Sequence, residues 1–220
     1  MHVEKNEVKK AIRRSQHCQR NWDLSREISA EDLEVFATAV SECPSKQNLA
    51  FYKVHFVTNR ELIEKMHAVT DGFILNYETQ ESVTNPQVLA NLVVIFEDKP
   101  VELNSKKDQR RNAQTMAYSG EDKVSAAEAK NILDRDANMA VGIAAGYLNL
   151  TANLMGYSTG CCACFDSQAI REILNLQGLP LLMMGVGFKD PDRNRLVHHL
   201  NSEFVFPTKP KQPIEVKIKA

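Results

Sequence analysis

Apolar residues along the chain recur with two periods, one near the helical ~3.6 and one of two, and the switches between them mark the elements. Residues 5–16 are basic, with Val8, Ala11 and Ile12 as their apolar anchors, and predict a helix. Ser29 is a fitting N-cap for a second helix over 30–40, with Glu31 and Asp32 near its positive end. Leu33, Phe36, Ala37 and Val40 form its apolar stripe, and Pro44 stops any continuation. Residues 51–57 alternate, Tyr52, Val54 and Phe56 against Lys53 and His55, which predicts a half-buried strand. A short helix over 60–69 and a turn at Asp71-Gly72 follow. Residues 92–96 are continuously apolar, as in a strand covered on both faces.

Residues 99–123 turn polar, with Lys106, Lys107, Arg110 and Arg111 clustered, and predict a partly helical surface excursion. Ser125 or Asp136 opens a long helix that runs to Met155, with Gly156 as a natural C′ residue. Its central residues 140–146 are small and apolar nearly all round. They suit a core helix buried on every side, or a helix at a subunit interface. Asp166 caps a helix over 167–174, and 179–188 form the last core strand. Ile214, Val216 and Ile218 alternate as a terminal strand, of a kind that pairs with something distant such as a partner subunit. The rhythm is not that of a doubly wound parallel sheet, so the expected class is α+β, one domain over residues 1–220.

Composition narrows the setting. Net charge is -1, so no global basic field points to nucleic acid. Residues 139–155 hold Asn149, Thr151 and Asn153 and fall short of the ~20 clean apolar residues of a membrane span. Met1 to Lys5 lack the apolar core of a signal peptide. Five cysteines, three of them at 161, 162 and 164, do not read as a disulfide framework, which suits a reducing, cytoplasmic setting. For zinc, Cys161-x-x-Cys164 would need a second ligand pair that Cys18 and Cys43 are not spaced to give. These thiols are expected to be small, inert, buried side chains.

Two segments carry the candidate chemistry: His17-Cys18-Gln19-Arg20-Asn21-Trp22-Asp23 and Pro44-Ser45-Lys46-Gln47-Asn48. Together they supply cations, an amide and backbone donors near helix starts, which suits a phosphate-bearing aromatic cofactor. Both resemble the nitroreductase family of FMN-dependent oxidoreductases. That family shows Arg-Ser-x-Arg-x-Phe-Asp near its start and Pro-Ser-x-x-Asn about two dozen residues later. Arg20, Trp22, Ser45 and Asn48 match, while His17 and Cys18 depart from Arg and Ser. Arg13-Arg14-Ser15 offers another register, four residues too early, and Trp22-Asp23 favours the later one. The resemblance extends over about residues 12–195.

The resemblance implies a mostly antiparallel sheet flanked by helices, in an intertwined homodimer with two FMN sites at the interface. It places Gln16, His17, Cys18 and Arg20 against the cofactor, with Pro44, Ser45, Lys46 and Asn48 reaching it from the adjoining subunit. Backbone amides of Ala163 and Cys164 would face flavin N5, where charge and a proton gather during hydride acceptance. Asn85 and Gln87 are both candidates for the pyrimidine edge. Arg193 and Arg195 would reach the phosphate, with Lys209 and Lys211 as the alternative. Residues 99–123 would cover the ring face, and 200–220 would form an extended arm. The implied activity passes hydride from NADH or NADPH through FMN to a small oxidised acceptor, such as a nitroaromatic or quinone, by a ping-pong route. Flavin destruction, dehalogenation, azoline oxidation and a flavin-binding or redox-sensing module are the other tasks the resemblance leaves open.

Overall fold

The computed structural model describes residues 4–79, 81–99, 126–208 and 210–219. Four strands form the main sheet: β1 (Tyr52–Val57), β4 (Leu92–Asp98), β5 (Ser158–Cys162) and β6 (Pro180–Gly187). Their order is β1-β4-β6-β5, and every neighbouring pair is antiparallel. The class is α+β with helices on both faces. α2 (Ala30–Ser41) and α4 (Ala126–Leu154) cover one face, while α3 (Arg60–Ala68) and α5 (Ser167–Leu174) cover the other. α1 (Lys5–Ser15) lies outside, against α4.

The side-chain alternation of β4 explains the two cores. Leu92, Val94 and Phe96 enter the cluster with Phe36, Leu148 and Met184; Val93 and Ile95 enter the one with Ile63, Ile170 and Met183. Full burial of such side chains stabilises by roughly 1.5–3 kcal/mol each, so a continuous apolar run is what a strand between two helix layers needs. Capping follows the sequence: Ser29 Oγ accepts the Asp32 amide at 3.1 Å, and Asp166 Oδ1 accepts those of Gln168 and Ala169. Gly156 takes a φ of 90°, the left-handed conformation expected at a helix C-terminus.

One expectation needs correction. α4 is not buried on every side: Ala140, Val141, Ala144 and Leu148 are buried, but Met139, Ile143 and Tyr147 are exposed, and a Cβ at Gly142 or Gly146 would meet nothing within 4 Å. Only one half of the helix circumference faces the sheet, and the other half is an apolar stripe at i, i+4, i+8 spacing. The alternating terminal segment, expected to pair with something distant, pairs with no strand of the described residues. Ile214, Val216 and Ile218 are exposed and make no ladder, because a lone alternating segment has no backbone partners of its own. A small hairpin of β2 (Phe73–Asn76) and β3 (Glu81–Val83) was not anticipated. Of the excursion at 99–123, residues 100–123 lie outside those described.

The far end of the sheet holds a buried carboxylate. Glu97 is 1% exposed and accepts from the Gly178 amide at 2.6 Å and His55 Nε2 at 2.5 Å, with Lys53 Nζ at 3.8 Å. Burial alone would raise its carboxyl, but the Gly178 amide, His55 and Lys53 outweigh that and hold it below the ordinary value. A carboxyl depressed in the folded state adds stability above its unfolded value, ~4.3, and loses it as pH falls through the folded one. Glu97→Gln is therefore expected to cost about 1–3 kcal/mol at neutral pH. The gap from wild type should shrink below pH ~4 in denaturant titrations. A gap that stays constant with pH would show that the charge is not what stabilises.

Candidate functional site

Residues 18–23 thread the site together. The Gln19 amide donates to Thr159 O at 2.8 Å, so this stretch lines the outer edge of β5. A Cβ at Gly160 would lie 2.6 Å from Gln19 O, so glycine is what lets the segment lie this close. Trp22, buried, donates from Nε1 to Pro86 O at 2.9 Å. The Asp23 amide donates to Phe188 O at 2.9 Å. Asn91 holds both sides of that crossing, donating to Asp23 O and Arg26 O and accepting the Phe188 amide. Asn21 donates to Asn194 O and Val197 O, fastening the C-terminal loop to the same segment.

The polar residues that interrupted the apolar run of α4 have a task here. Thr159 Oγ1 donates to Asn149 Oδ1, Asn149 Nδ2 donates to Ser15 O at 3.2 Å, and Arg14 donates to Asn153 O at 2.7 Å. They tie α1, α4 and β5 together just before the segment begins. Gln16, exposed, donates to Arg13 O at 2.9 Å; His17 is exposed and Cys18 half-buried.

Beyond β5 the chain passes through Ala163 and Cys164 into α5. Both residues are exposed, and among the described residues neither backbone amide has an acceptor. The Cys164 carbonyl is taken by the Asp71 amide at 2.9 Å, which fixes the orientation of this short stretch. Asn85 and Gln87 stand behind it, buried. Asn85 Oδ1 accepts the Gln87 amide at 3.1 Å, and Asn85 Nδ2 donates to Gln87 Oε1 at 3.2 Å and to Cys162 Sγ at 3.1 Å. Their amide groups thus serve each other and the strand first.

The cysteines are not uniformly buried as expected. Cys43 and Cys162 are buried, whereas Cys161 and Cys164 are exposed, because β5 is an edge strand whose outward positions reach solvent. Although part of Cys161 reaches solvent, packing around its sulfur pushes the thiol up to about 12, helped by nearby Cys18 and Cys162. Burial likewise pushes Cys162 up to about 11. Among the described residues no cluster of His, Cys, Asp or Glu is arranged to hold a metal ion.

The second motif segment lies elsewhere. Lys46 to Asn48 form a 3-10 turn after Ser45, and Asn48 closes it at φ 59°, a left-handed conformation that asparagine tolerates. Pro44 and Asn48 are exposed. Lys46 is paired with buried Asp136 on α4, and Arg135 holds the other carboxylate oxygen at 3.0 Å. From Asp136 to Asn149 the helix rises roughly 20 Å, so one chain holds the two motif segments far apart.

A group of basic residues gathers against residues 20–24. Arg20 and Arg193 line a cavity of about 350 Å³ with Arg60, His67 and His199. Burial first, and then nearby Arg195, hold the Arg20 guanidinium below its ordinary value, and the Phe206 ring centre lies 4.5 Å from it. Lys211 is exposed, and residue 209 lies outside those described. Arg60 and His67 were missed by sequence reading. Their signal was legible: Arg60, Glu64 and His67 share one helical face at i, i+4, i+7.

A family model described as the nitroreductase family matches residues 12–188. The chain belongs to the nitroreductase family. No curated protein matches its sequence. Among solved structures, a nitroreductase family protein from Streptococcus pneumoniae TIGR4 is similar at 16% identity, over 97% of this chain and 100% of that one, with a TM-score of 0.59. A nitroreductase-like protein from Exiguobacterium sibiricum 255-15, solved in complex with FMN, is similar at 16% identity, over 88% and 94%, with a TM-score of 0.58. An enone reductase of gut-bacterial fatty acid saturation metabolism is similar at 16% identity, over 90% and 95%, with a TM-score of 0.60. At such identities the likeness is one of nitroreductase fold.

The raised thiols give a direct test of this geometry. Under timed iodoacetamide treatment near pH ~8, Cys161 and Cys162 should alkylate more than about tenfold slower than a free cysteine. Mass spectrometry of quenched samples reads this site by site. Labelling at the free-thiol rate would mean that neither sulfur is shielded.

Proposed function

We propose that the protein is an FMN-dependent oxidoreductase working as a homodimer. The observation that supports this most is the pair of unpartnered amides at Ala163 and Cys164, set at the entrance to α5 in a member of the nitroreductase family. Fixed donors of that kind suit a ring nitrogen that gains charge, and because they are backbone groups they impose no side-chain identity. FMN, when bound, supplies a centre that accepts hydride from NADH or NADPH and passes it to an oxidised small molecule such as a nitroaromatic or quinone, in ping-pong order. On this reading Gln16, His17 and Cys18 flank the cofactor, and Arg20, Arg193 and Arg195 offset its phosphate charge. No side chain of this chain is required as an essential acid or base.

The distance between the motif segments supports the homodimer. Ser45 and Asn48 sit about 20 Å along α4 from the Cys18 side, so a second copy is the natural source of that loop for each site. The uncovered stripe of Met139, Ile143 and Tyr147 suits helix-on-helix packing between copies. The outer edge of β1 and the apolar groove of about 480 Å³ beside it, lined by Val40, Tyr52, Val54 and Phe56, suit the alternating segment at Ile214, Val216 and Ile218 from a partner. Five free thiols fit a cytoplasmic setting, and among the described residues no helix is long and apolar enough to cross a membrane.

A second reading, a flavin-binding module with little turnover, draws on Asn85 and Gln87, whose side-chain amides are turned inward and bonded to each other. Flavin destruction, dehalogenation and azoline oxidation are other tasks that the same fold could carry.

Purified protein is expected to be yellow, with a flavin absorbance band that bleaches when NADH or NADPH is added without oxygen and returns on adding a quinone. Colourless protein that FMN cannot reconstitute would remove the oxidoreductase reading. Yellow protein that neither nicotinamide bleaches would leave the module.

A further inference from the structure

Asp136 is a buried carboxylate on a side of α4 that is open further along. Ile143 and Tyr147 lie within about 20° of it around the helix axis, and both are exposed. Asp136 itself is 2% exposed, because Lys46, Leu49 and Phe51 lie against this part of the helix. Two kinds of contact hold them there. Leu49 and Phe51 pack with Ala137 and Ala140, and Lys46 Nζ donates to Asp136 Oδ2. Arg135 donates to the other oxygen, from Nε at 3.2 Å and Nη2 at 3.0 Å. The Arg135 side chain is 60% exposed, so a lifted loop would leave Asp136 with only a largely solvated partner. A buried carboxylate that loses its nearer cation is costly, which ties the place of the loop to the charge of Asp136.

This hold leaves the polar side chains of the loop unspent. The Asn48 amide donates to Ser45 O and the Leu49 amide to Lys46 O, at 3.1 Å each, and Asn48 stands at φ 59°. Among the described residues neither the Ser45 nor the Asn48 side chain has a hydrogen-bond partner, and Asn48 is exposed. A tethered backbone carrying two free polar side chains is the condition of a preorganised binding loop. Lys46, whose ammonium is directed to Asp136, is the tether and not one of the free groups.

We propose that Asp136 is a positioning residue, which through Lys46 sets the loop at Ser45 and Asn48 for a flavin on the adjoining copy. The proposal rests on the flavin reading above, and it gives Lys46 a hold on α4 in place of contact with the cofactor. The pair stands where the loop meets the exposed stripe of Met139, Ile143 and Tyr147. A copy packed on that stripe would lie beside the turn.

The test compares Asp136→Asn, Lys46→Met, Lys46→Arg and the double variant Asp136→Asn with Lys46→Met, each as full-length protein. FMN affinity is read on apoprotein by quenching of flavin fluorescence. Amide hydrogen exchange is read by mass spectrometry over residues 44–51, with residues 92–98 of β4 as the internal reference. Asp136→Asn and Lys46→Met are each expected to speed exchange over 44–51 about fivefold and to weaken FMN about tenfold, with 92–98 unchanged. The double variant is expected to bind no more weakly than the singles, because both remove one tether. Lys46→Arg keeps the pair and is expected to bind as wild type does. Lys46→Met leaves Asp136 bonded to Arg135, so it carries the test even if Asp136→Asn fails to fold. Weaker FMN binding in Lys46→Met without faster exchange over 44–51 would put Lys46 on the ligand itself and overturn the proposal. Losses that multiply in the double variant would do the same. Faster exchange with unchanged FMN affinity would overturn it too, leaving a structural tether and the flavin reading intact. Wild type that takes up no FMN would instead end the flavin reading, and this proposal with it.

Discussion

The arrangement of the candidate site depends on one crossing, where residues 18–23 run from the edge of β5 past the end of β6. Six residues connect four parts of the fold there: Gln19 to β5, Trp22 to the turn at Pro86, Asp23 and Asn91 to Phe188, and Asn21 to the loop at Asn194 and Val197. Buried hydrogen bonds of this kind are worth about 1 kcal/mol each when made and more when broken, so the segment has little freedom to shift. It borders two different environments. Gln19 bonds to β5, which leads on to Ala163 and Cys164, and Arg20, Asn21, Trp22 and Leu24 form part of the wall of the basic cavity.

The two-sided core supplies the rigidity behind that division. β4 is covered on both faces, and both helix layers end near the crossing. α3 delivers His67 to the basic cavity, and α4 delivers Asn149 and Asn153 to α1 and β5. Where coverage stops, on the outer half of α4, the edge of β1 and the extended C-terminal residues, the exposed groups are apolar or alternating. A chain that leaves such surfaces open while its two motif segments lie apart is one whose site we read as shared between copies.

Much of the fold was legible because local signals agreed with tertiary need. Ser29, Asp166 and Gly156 cap helices as their chemistry suggests, and the run at 92–96 is a central strand. What was not legible depended on partners distant in sequence. β2 and β3 are short, with Phe73 and Leu75 exposed, so no alternation marks them. The one-sided burial of α4 is invisible in residues that are small all round, since small side chains suit both a core and a contact between copies. At the site, Arg20, Trp22 and the Ala163-Cys164 stretch announced themselves through motif spacing. Asn85 and Gln87 did too, but sequence could not say that they would spend their amides on each other. Arg60 and His67 carried a readable helical spacing, yet only the fold brings them to His199.

The central claim is that one flavin site needs residues 18–23 of one chain and the loop at Ser45 and Asn48 of another. Co-expression of differently tagged Arg20→Ala and Asn48→Ala chains measures this, with flavin content read on the purified mixed dimer. A shared site predicts that each variant alone binds FMN poorly, while the mixed dimer recovers one intact site in two. A mixed dimer holding no more flavin than its parents would place both segments in the site of a single chain, or in none.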